Sequence, residues 1–423
     1  MPVELAPPPP APPAAGPPPV GPAAPAAGAA PPFAARLGYW LFAAHLLAVP
    51  TLAISNLFLG LALLVGPAAA RRTRVPWRAL VPLTVPLGLY LLLLLASIAG
   101  SYDVRTSFRS TTELFNFAPL LLAPIFVRGE RPVRRLVAGF EVLGGLLAVW
   151  GLVQVFMGQG DLDQRIRGPF SHWMTYAGVL LVCDLLLLAS VTAPRGWRSP
   201  WRWAGLVLVN LALLQSLTRS AWVALGLAVT VLLLVRAPKL LLAYPAVAAL
   251  FILLAPVPLL HRMTSIVDLD DISNYDRVCM AEAGLRMIAD RPLFGLGPQM
   301  VERRYPIYRT PTAPRYTVPH LHNNPLQIAA ERGLPALAAG LALMLASFLV
   351  AFRRYRAEGG RHGPRADLYL GVMLALLAFN TAGLFENNWG DTEVQRVVLF
   401  VLAIPFCLAA AERPGPAAPA PAA

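Results

Sequence analysis

The stretch ALVPLTVPLGLYLLLLLASIA, residues 79–99, carries no charged side chain and is long enough to cross a bilayer as a helix. Lipid offers no partner for backbone N–H and C=O groups, so a segment this apolar must close its hydrogen bonds on itself. Comparable runs recur on both sides of it, at about 36–53, 55–70, 112–127, 136–158, 172–193, 203–217, 220–235, 239–260, 333–352, 366–385 and 396–411. The pattern predicts an all-α, polytopic integral membrane protein of about twelve transmembrane helices. Composition agrees: 57% of the 423 residues are hydrophobic and 13% charged, and mean hydropathy is +0.59. A soluble domain carries roughly a quarter charged residues.

With the N-terminus placed in the cytoplasm, the short inner loops become 71–78, 128–135, 195–202, 236–239 and 353–365, and every one is basic. The outer arginines, Arg105, Arg109, Arg165, Arg167, Arg219 and those of the long loop, are interspersed with Asp and Glu. The formal charge of +13 is therefore a topology signal, and nucleic acid is not an expected partner. Residues 1–35 and 412–423, rich in Pro and Ala, read as disordered cytoplasmic tails. No basic n-region precedes the first apolar run, so no cleavable signal peptide is expected. Cys183 and Cys407 fall in predicted helices and Cys279 in the outer loop, which leaves no outer pair for a disulfide.

Between two halves of the bundle, 36–260 and 333–411, lies a polar loop, 261–332, closed by His322-Asn323. Polar backbone hung between apolar helices is where such a protein acts. Ser273-Asn274 can cap a helix running from about Tyr275 to Ala289, with Val278, Ala281, Leu285 and Ile288 on one face. Pro292 breaks it, and Phe294-Gly295-Leu296-Gly297-Pro298 forms a glycine turn. That GLG lacks the third glycine and the βαβ setting of a dinucleotide fingerprint. The sequences Asp161–Asp163 and Asp268–Asp270 imitate a metal-binding pattern of nucleotide-sugar transferases, but turn formation and helix capping explain them better.

The run Arg291-Pro292-Leu293-Phe294-Gly295-Leu296-Gly297-Pro298, followed by His320-Leu321-His322-Asn323-Asn324-Pro325-Leu326-Gln327 and Arg332-Gly333-Leu334, resembles the shared domain of the O-antigen ligase and O-antigen polymerase family. His322, Asn323 and Gly333 match the pattern His-Asn, nine residues, Gly; the second glycine usual three positions on is Ala336. Arg167–His172 and Leu217–Trp222 also look like family segments. The resemblance implies transfer of a glycan from undecaprenyl diphosphate to a sugar hydroxyl of lipid A-core, on the periplasmic face of the bacterial inner membrane, with no cofactor and no metal. A repeat-unit polymerase is the close alternative; a lipid-linked glycan transporter is the distant one, against which the long His-Asn loop speaks.

A weakly nucleophilic alcohol wants a general base, and His322 is the candidate. Guanidinium groups suit a leaving diphosphate, and Arg219 and Arg277 correspond to arginines that the family uses for it. Asn323, Arg167, His172 and His320 complete the expected substrate contacts. His172 either lines the same cavity or caps a helix. Arg165 and Arg167 are either interfacial anchors or phosphate contacts. His320 would suit a metal as a second ligand, but no third lies at useful spacing. Asp184, inside a span, should make a packing hydrogen bond. Glu386-Asn387-Asn388-Trp389-Gly390-Asp391, polar and outer, lies between the last two spans, where it could reach the acceptor sugar.

Overall fold

The computed structural model describes residues 33–410 apart from Arg74, Pro76, Arg195, Ala255, Pro256 and Leu269; the two Pro/Ala tails lie outside the described residues except for 33–35, which begin the first helix. The order is α1 (Phe33–Leu47), α2 (Leu52–Thr73), α3 (Val81–Ala99), α4 (Val104–Ser107), α5 (Glu113–Asn116), α6 (Ala118–Phe126), α7 (Glu130–Phe156), α8 (Trp173–Val191), α9 (Pro200–Gln215), α10 (Arg219–Arg236), α11 (Tyr244–Leu254), α12 (Val257–Thr264), α13 (Ile272–Asp290), α14 (Met300–Tyr308), α15 (Asn324–Arg332), α16 (Leu334–Ala357), α17 (Ala366–Ala382) and α18 (Thr392–Ala409). No strand occurs among the described residues. Each of the twelve apolar runs contains a helix. Among the described residues seven are long and apolar enough for a full crossing: α2, α3 with its leading 3₁₀ turn, α7, α8, α10, α16 and α18. The runs at α1, α6, α9, α11 and α17 make shorter helices.

Helices α8 and α18 form the centre. Both are predominantly apolar, and 83% of each apolar window is buried inside the protein, against 28% for α2 and α3. A helix this apolar is stable when it is surrounded by others, and its few polar groups, such as Asp184 and Arg396, then need partners inside the protein. Around them pack α7, α10, α16 and α17. The basic loops gather at one end: Arg128 donates to the carbonyls of Thr73 and Ala410, Arg134 pairs with Asp367, and Arg202 pairs with Glu141 at 2.9 Å. Asp184 is fully buried and accepts from Asn210 at 2.9 Å, the packing bond expected of it.

The long loop folds at the opposite end around a second, smaller core of Met280, Ala283, Met287, Leu296, Met300, Val301, Tyr305, Val318, Leu321 and Ala330. Two expectations need correction here. Helix α13 starts at Ile272 and is capped by Asp271, whose carboxylate accepts from the backbone N–H of Ser273 and Asn274. Its buried face is Asp276, Met280, Ala283 and Met287, whereas Val278 and Leu285 are exposed. Both faces carry the same three-and-four spacing, and docking against the Leu296–Met300 turn selects the methionine face.

The spacing of the His-Asn, nine residues, Gly pattern is the length of α15. Asn323 is its N-cap, accepting from Leu326 N–H at 2.9 Å, and Gly333 at φ +84° is its C-cap. The glycine turn below it is fixed by backbone: Leu296 N–H donates to Ala330 O at 2.8 Å and Gly297 N–H to Glu331 O at 3.0 Å. Arg332, buried, ties the helix to Glu113 at 2.7 Å.

Gly333 also lies so close to the Leu293 carbonyl that a Cβ would overlap it. Gly333→Ala should therefore lower stability by about 3 kcal/mol, from a glycine-only conformation plus the overlap. Gly60→Ala, where a Cβ meets nothing within 4 Å, should leave stability unchanged or slightly raised. Thermal unfolding of the detergent-solubilised variants reads both; an unshifted Gly333→Ala would contradict the placement of α15.

Candidate active site

An open cavity of about 840 Å³ lies where the folded loop meets the ends of α8, α10, α17 and α18. It is lined by Arg165, Arg262, Arg277 and Arg315, by His172, His320 and His322, and by Thr175, Glu386, Asn387, Asn388, Asp391, Thr392 and Glu393. A smaller adjoining pocket of about 70 Å³ is lined by Arg165, Arg219, Arg262, Arg277 and Glu386.

His322 sits in the left-handed region at φ +49°, immediately before the cap of α15. Its neighbours hold it there. Leu321 N–H donates to Gln327 Oε1 at 2.9 Å, His322 N–H reaches His320 Nδ1 at 3.4 Å, and Asn324 N–H donates to Gly383 O at 2.7 Å. Its Nδ1 lies 3.1 Å from Glu386 Oε2. A carboxylate can only accept, so Nδ1 is the donor, and in the neutral ring the lone pair is on Nε2. The other oxygen of Glu386 meets Arg277 Nη2 at 3.2 Å, and Arg277 Nε donates to Phe385 O at 3.2 Å. One buried carboxylate thus joins the candidate base to a candidate phosphate-binding arginine.

The other expected residues divide. His172 does both things considered for it: its Nδ1 caps α8, accepting from Met174 N–H at 3.2 Å, and its ring lines the cavity. That cap leaves Nε2 as the protonated, donating nitrogen. Burial, which outweighs the nearby Glu386 and Asp391 carboxylates, keeps His172 below the usual histidine range. His320 packs edge-on to His322 at 4.2 Å between ring centres. Arg219 is almost fully enclosed, donating to Ser265 O, Ser265 Oγ, Ser273 Oγ and Asn274 Oδ1 and pairing with Asp271 at 3.3 Å. Asn323 has both ends of its amide in use, the second donating to Leu384 O at 2.9 Å, and it does not line the cavity. Arg167 is exposed and turned to Ser171 O, outside the cavity; Arg165, two residues earlier, lines it.

Arg262 and Glu386 escaped the sequence-based site. Arg262 stands two residues after the apolar run 239–260, and no local spacing ties it to Arg165. Glu386 stood in a polar bracket already noted, but nothing local ties it to a histidine 64 residues earlier. Asp161 accepts from the N–H of Asp163, and Asp268 from that of Asp270, the turns expected of both segments. No group of three His, Cys, Asp or Glu is arranged to hold a metal ion among the described residues.

Residues 204–341 match the family model described as O-antigen ligase. The match spans Arg219, Arg277, the glycine turn, His322 and Gly333, so the resemblance carried by the motifs is shown over that segment. His172, Arg165 and Glu386, which complete the cavity, lie outside it. No curated protein matches the chain.

Burial, then the neighbouring His322, His172 and Arg315, pushes His320 down to about 3. The unfolded chain takes up this proton near pH 6.5 and the folded chain only near 3, so the folded state loses stability as pH falls from about 6.5 toward 3. At pH 5 the loss from this group is about 2 kcal/mol. Melting temperatures at pH 7 and pH 5 should therefore differ less in His320→Gln than in the unaltered protein. An identical acid shift in both would show that His320 is not held neutral.

Proposed function

We propose that this chain transfers a glycan from undecaprenyl diphosphate to a sugar hydroxyl of lipid A-core at the outer face of the bacterial inner membrane, as an O-antigen ligase. The observation that carries the reading is the His322–Glu386–Arg277 arrangement on the wall of a cavity large enough for a sugar and a diphosphate. Support also comes from the family match and from the seven long apolar helices.

The acceptor hydroxyl approaches the Nε2 lone pair of His322, which removes its proton as the oxygen attacks the anomeric carbon. The bond from that carbon to the diphosphate oxygen breaks, and the electron pair leaves with the diphosphate. Attack opposite the leaving group inverts the anomeric centre. Glu386 keeps His322 in the Nδ1–H tautomer and offsets the positive charge the ring gains. The same carboxylate aims Arg277 at the phosphate, where a guanidinium donates two parallel hydrogen bonds that a lysine cannot reproduce. Arg219 stands behind, in contact with the smaller pocket and with the loop that carries α13. His172 Nε2–H and the Asn387 and Asn388 amides supply hydrogen bonds to sugar hydroxyls, and Arg167, His320 and Asn323 border or brace the site.

Purified protein incubated with a lipid-linked glycan and lipid A-core, followed by mass analysis, tests the reading. His322→Ala should lower the transfer rate by ~10²–10⁴. Glu386→Gln should lower kcat into the same range with a smaller change in KM, because it removes orientation and charge from the base. Near-normal turnover in His322→Ala would remove the base assignment. Glycan joined to a second carrier-linked glycan, and not to lipid A-core, would identify a polymerase.

A further inference from the structure

The smaller pocket has an excess of arginine: Arg165, Arg219, Arg262 and Arg277 line it with one carboxylate, Glu386. Arg219 is paired with Asp271, Arg277 with Glu386, and Arg315 with Asp276, whose Oδ2 is 2.6 Å from its Nε. Arg165 and Arg262 also line both the cavity and the adjoining pocket, yet neither has a carboxylate partner among the described residues. Arg262 reaches only the Leu217 carbonyl, at a long 3.4 Å. Arg165 lies over the Trp173 ring at 5.0 Å, and the Arg165 Nε–H and Trp173 Nε1–H are both buried without a hydrogen-bond partner among the described residues. Buried donors without acceptors are rare enough in folded proteins that each calls for an explanation.

We infer that Arg165 and Arg262, with the Trp173 indole N–H beside them, form the principal diphosphate cradle of this chain, and that Arg219 serves to hold the 265–274 segment. The inference rests on the proposed function for its ligand. Two guanidinium groups with no carboxylate at ion-pair distance match a diphosphate diester, whose phosphates each keep a single negative charge. An arginine already satisfied by five oxygen atoms has little to offer an incoming phosphate, since its existing bonds would have to be broken first. Like charge supports the assignment: burial, then Arg219 and Arg165, pushes Arg262 down to about 10, and burial, then Arg219, lowers Arg165. An anion between them relieves both penalties. The two side chains come from elements far apart in sequence, the 157–172 loop and α12, so diphosphate would also bridge the segment before α8 to the one before α13.

Binding of inorganic pyrophosphate and of geranyl diphosphate to the full detergent-solubilised chain, measured by calorimetry, tests the cradle without requiring transfer. Arg165→Gln and Arg262→Gln should each weaken binding about tenfold or more, and the double variant should show no saturation. Arg165→Lys and Arg262→Lys should recover part of the loss, and Arg105→Gln, which lines neither pocket, should bind like the unaltered chain. A double variant that binds like the unaltered chain, or loss of binding confined to Arg219→Gln, would overturn the assignment. If the glutamine variants do not fold, phenylglyoxal labelling of the unaltered chain decides: pyrophosphate should protect Arg165 and Arg262, and labelling of both at an undiminished rate in its presence would overturn the cradle. A chain that binds diphosphate through these arginines but transfers no glycan would contradict the proposed function and leave the cradle standing.

Discussion

The last carbonyls of a helix have no partner within it, and those of α15 end inside the protein rather than in water. Ala330 and Glu331 are both buried, so their oxygens must find N–H groups from elsewhere, and Leu296 and Gly297 provide them. The loop geometry follows from that requirement. Gly295 and Gly297 take positive φ values because the turn has to bring two successive N–H groups under one helix end, and a Cβ at Gly295 would overlap the Glu331 carbonyl group. The turn in turn accepts Tyr102 N–H at Leu296 O, which carries the C-terminal end of α3 into the same assembly. The other end of α15 is held as firmly, with Asn324 bonded to Gly383, Asn388 and Trp389 across the gap between α17 and α18. A nine-residue helix too short to be stable alone is thereby fixed at both termini. His322 is the residue just outside its first cap.

Much of this was legible because a bilayer restricts the choices. Every apolar run of suitable length contains a helix, since a helix is the one open-chain form that satisfies its own backbone in lipid. The glycine turn was legible for the same kind of reason: Pro292 ends one helix and no βαβ unit surrounds the GLG. What periodicity could not settle was which of two equivalent faces of α13 is buried, because both Val278–Leu285 and Met280–Met287 repeat at helical spacing and only the docking partner distinguishes them. Pairings across long separations were equally out of reach. Glu386 becomes part of the site through Nδ1 of a histidine in another segment, Asp271 replaces Ser273-Asn274 as cap because its carboxylate reaches two N–H groups, and the enclosure of Arg219 needs five groups from 265 to 274 at once.

His322 lies in the left-handed region, a conformation that costs a side-chain-bearing residue about 1 kcal/mol or more. Glycine would adopt it freely, as it does at Gly333 on the far end of the same helix, so the local backbone alone does not call for histidine. The strain persists because Leu321, Asn323 and Asn324 are each hydrogen-bonded to fixed groups and leave the intervening residue no other path. A left-handed residue directs its side chain away from the course its neighbours follow. Here that places the imidazole against Glu386 and in the cavity while the chain on either side stays packed. On the proposed function, the base then stands on a strained but immobile link between the buried Leu321 and a capped helix. Its orientation is set by backbone hydrogen bonds before any substrate arrives, and the Glu386 carboxylate has only to fix the rotation of the ring.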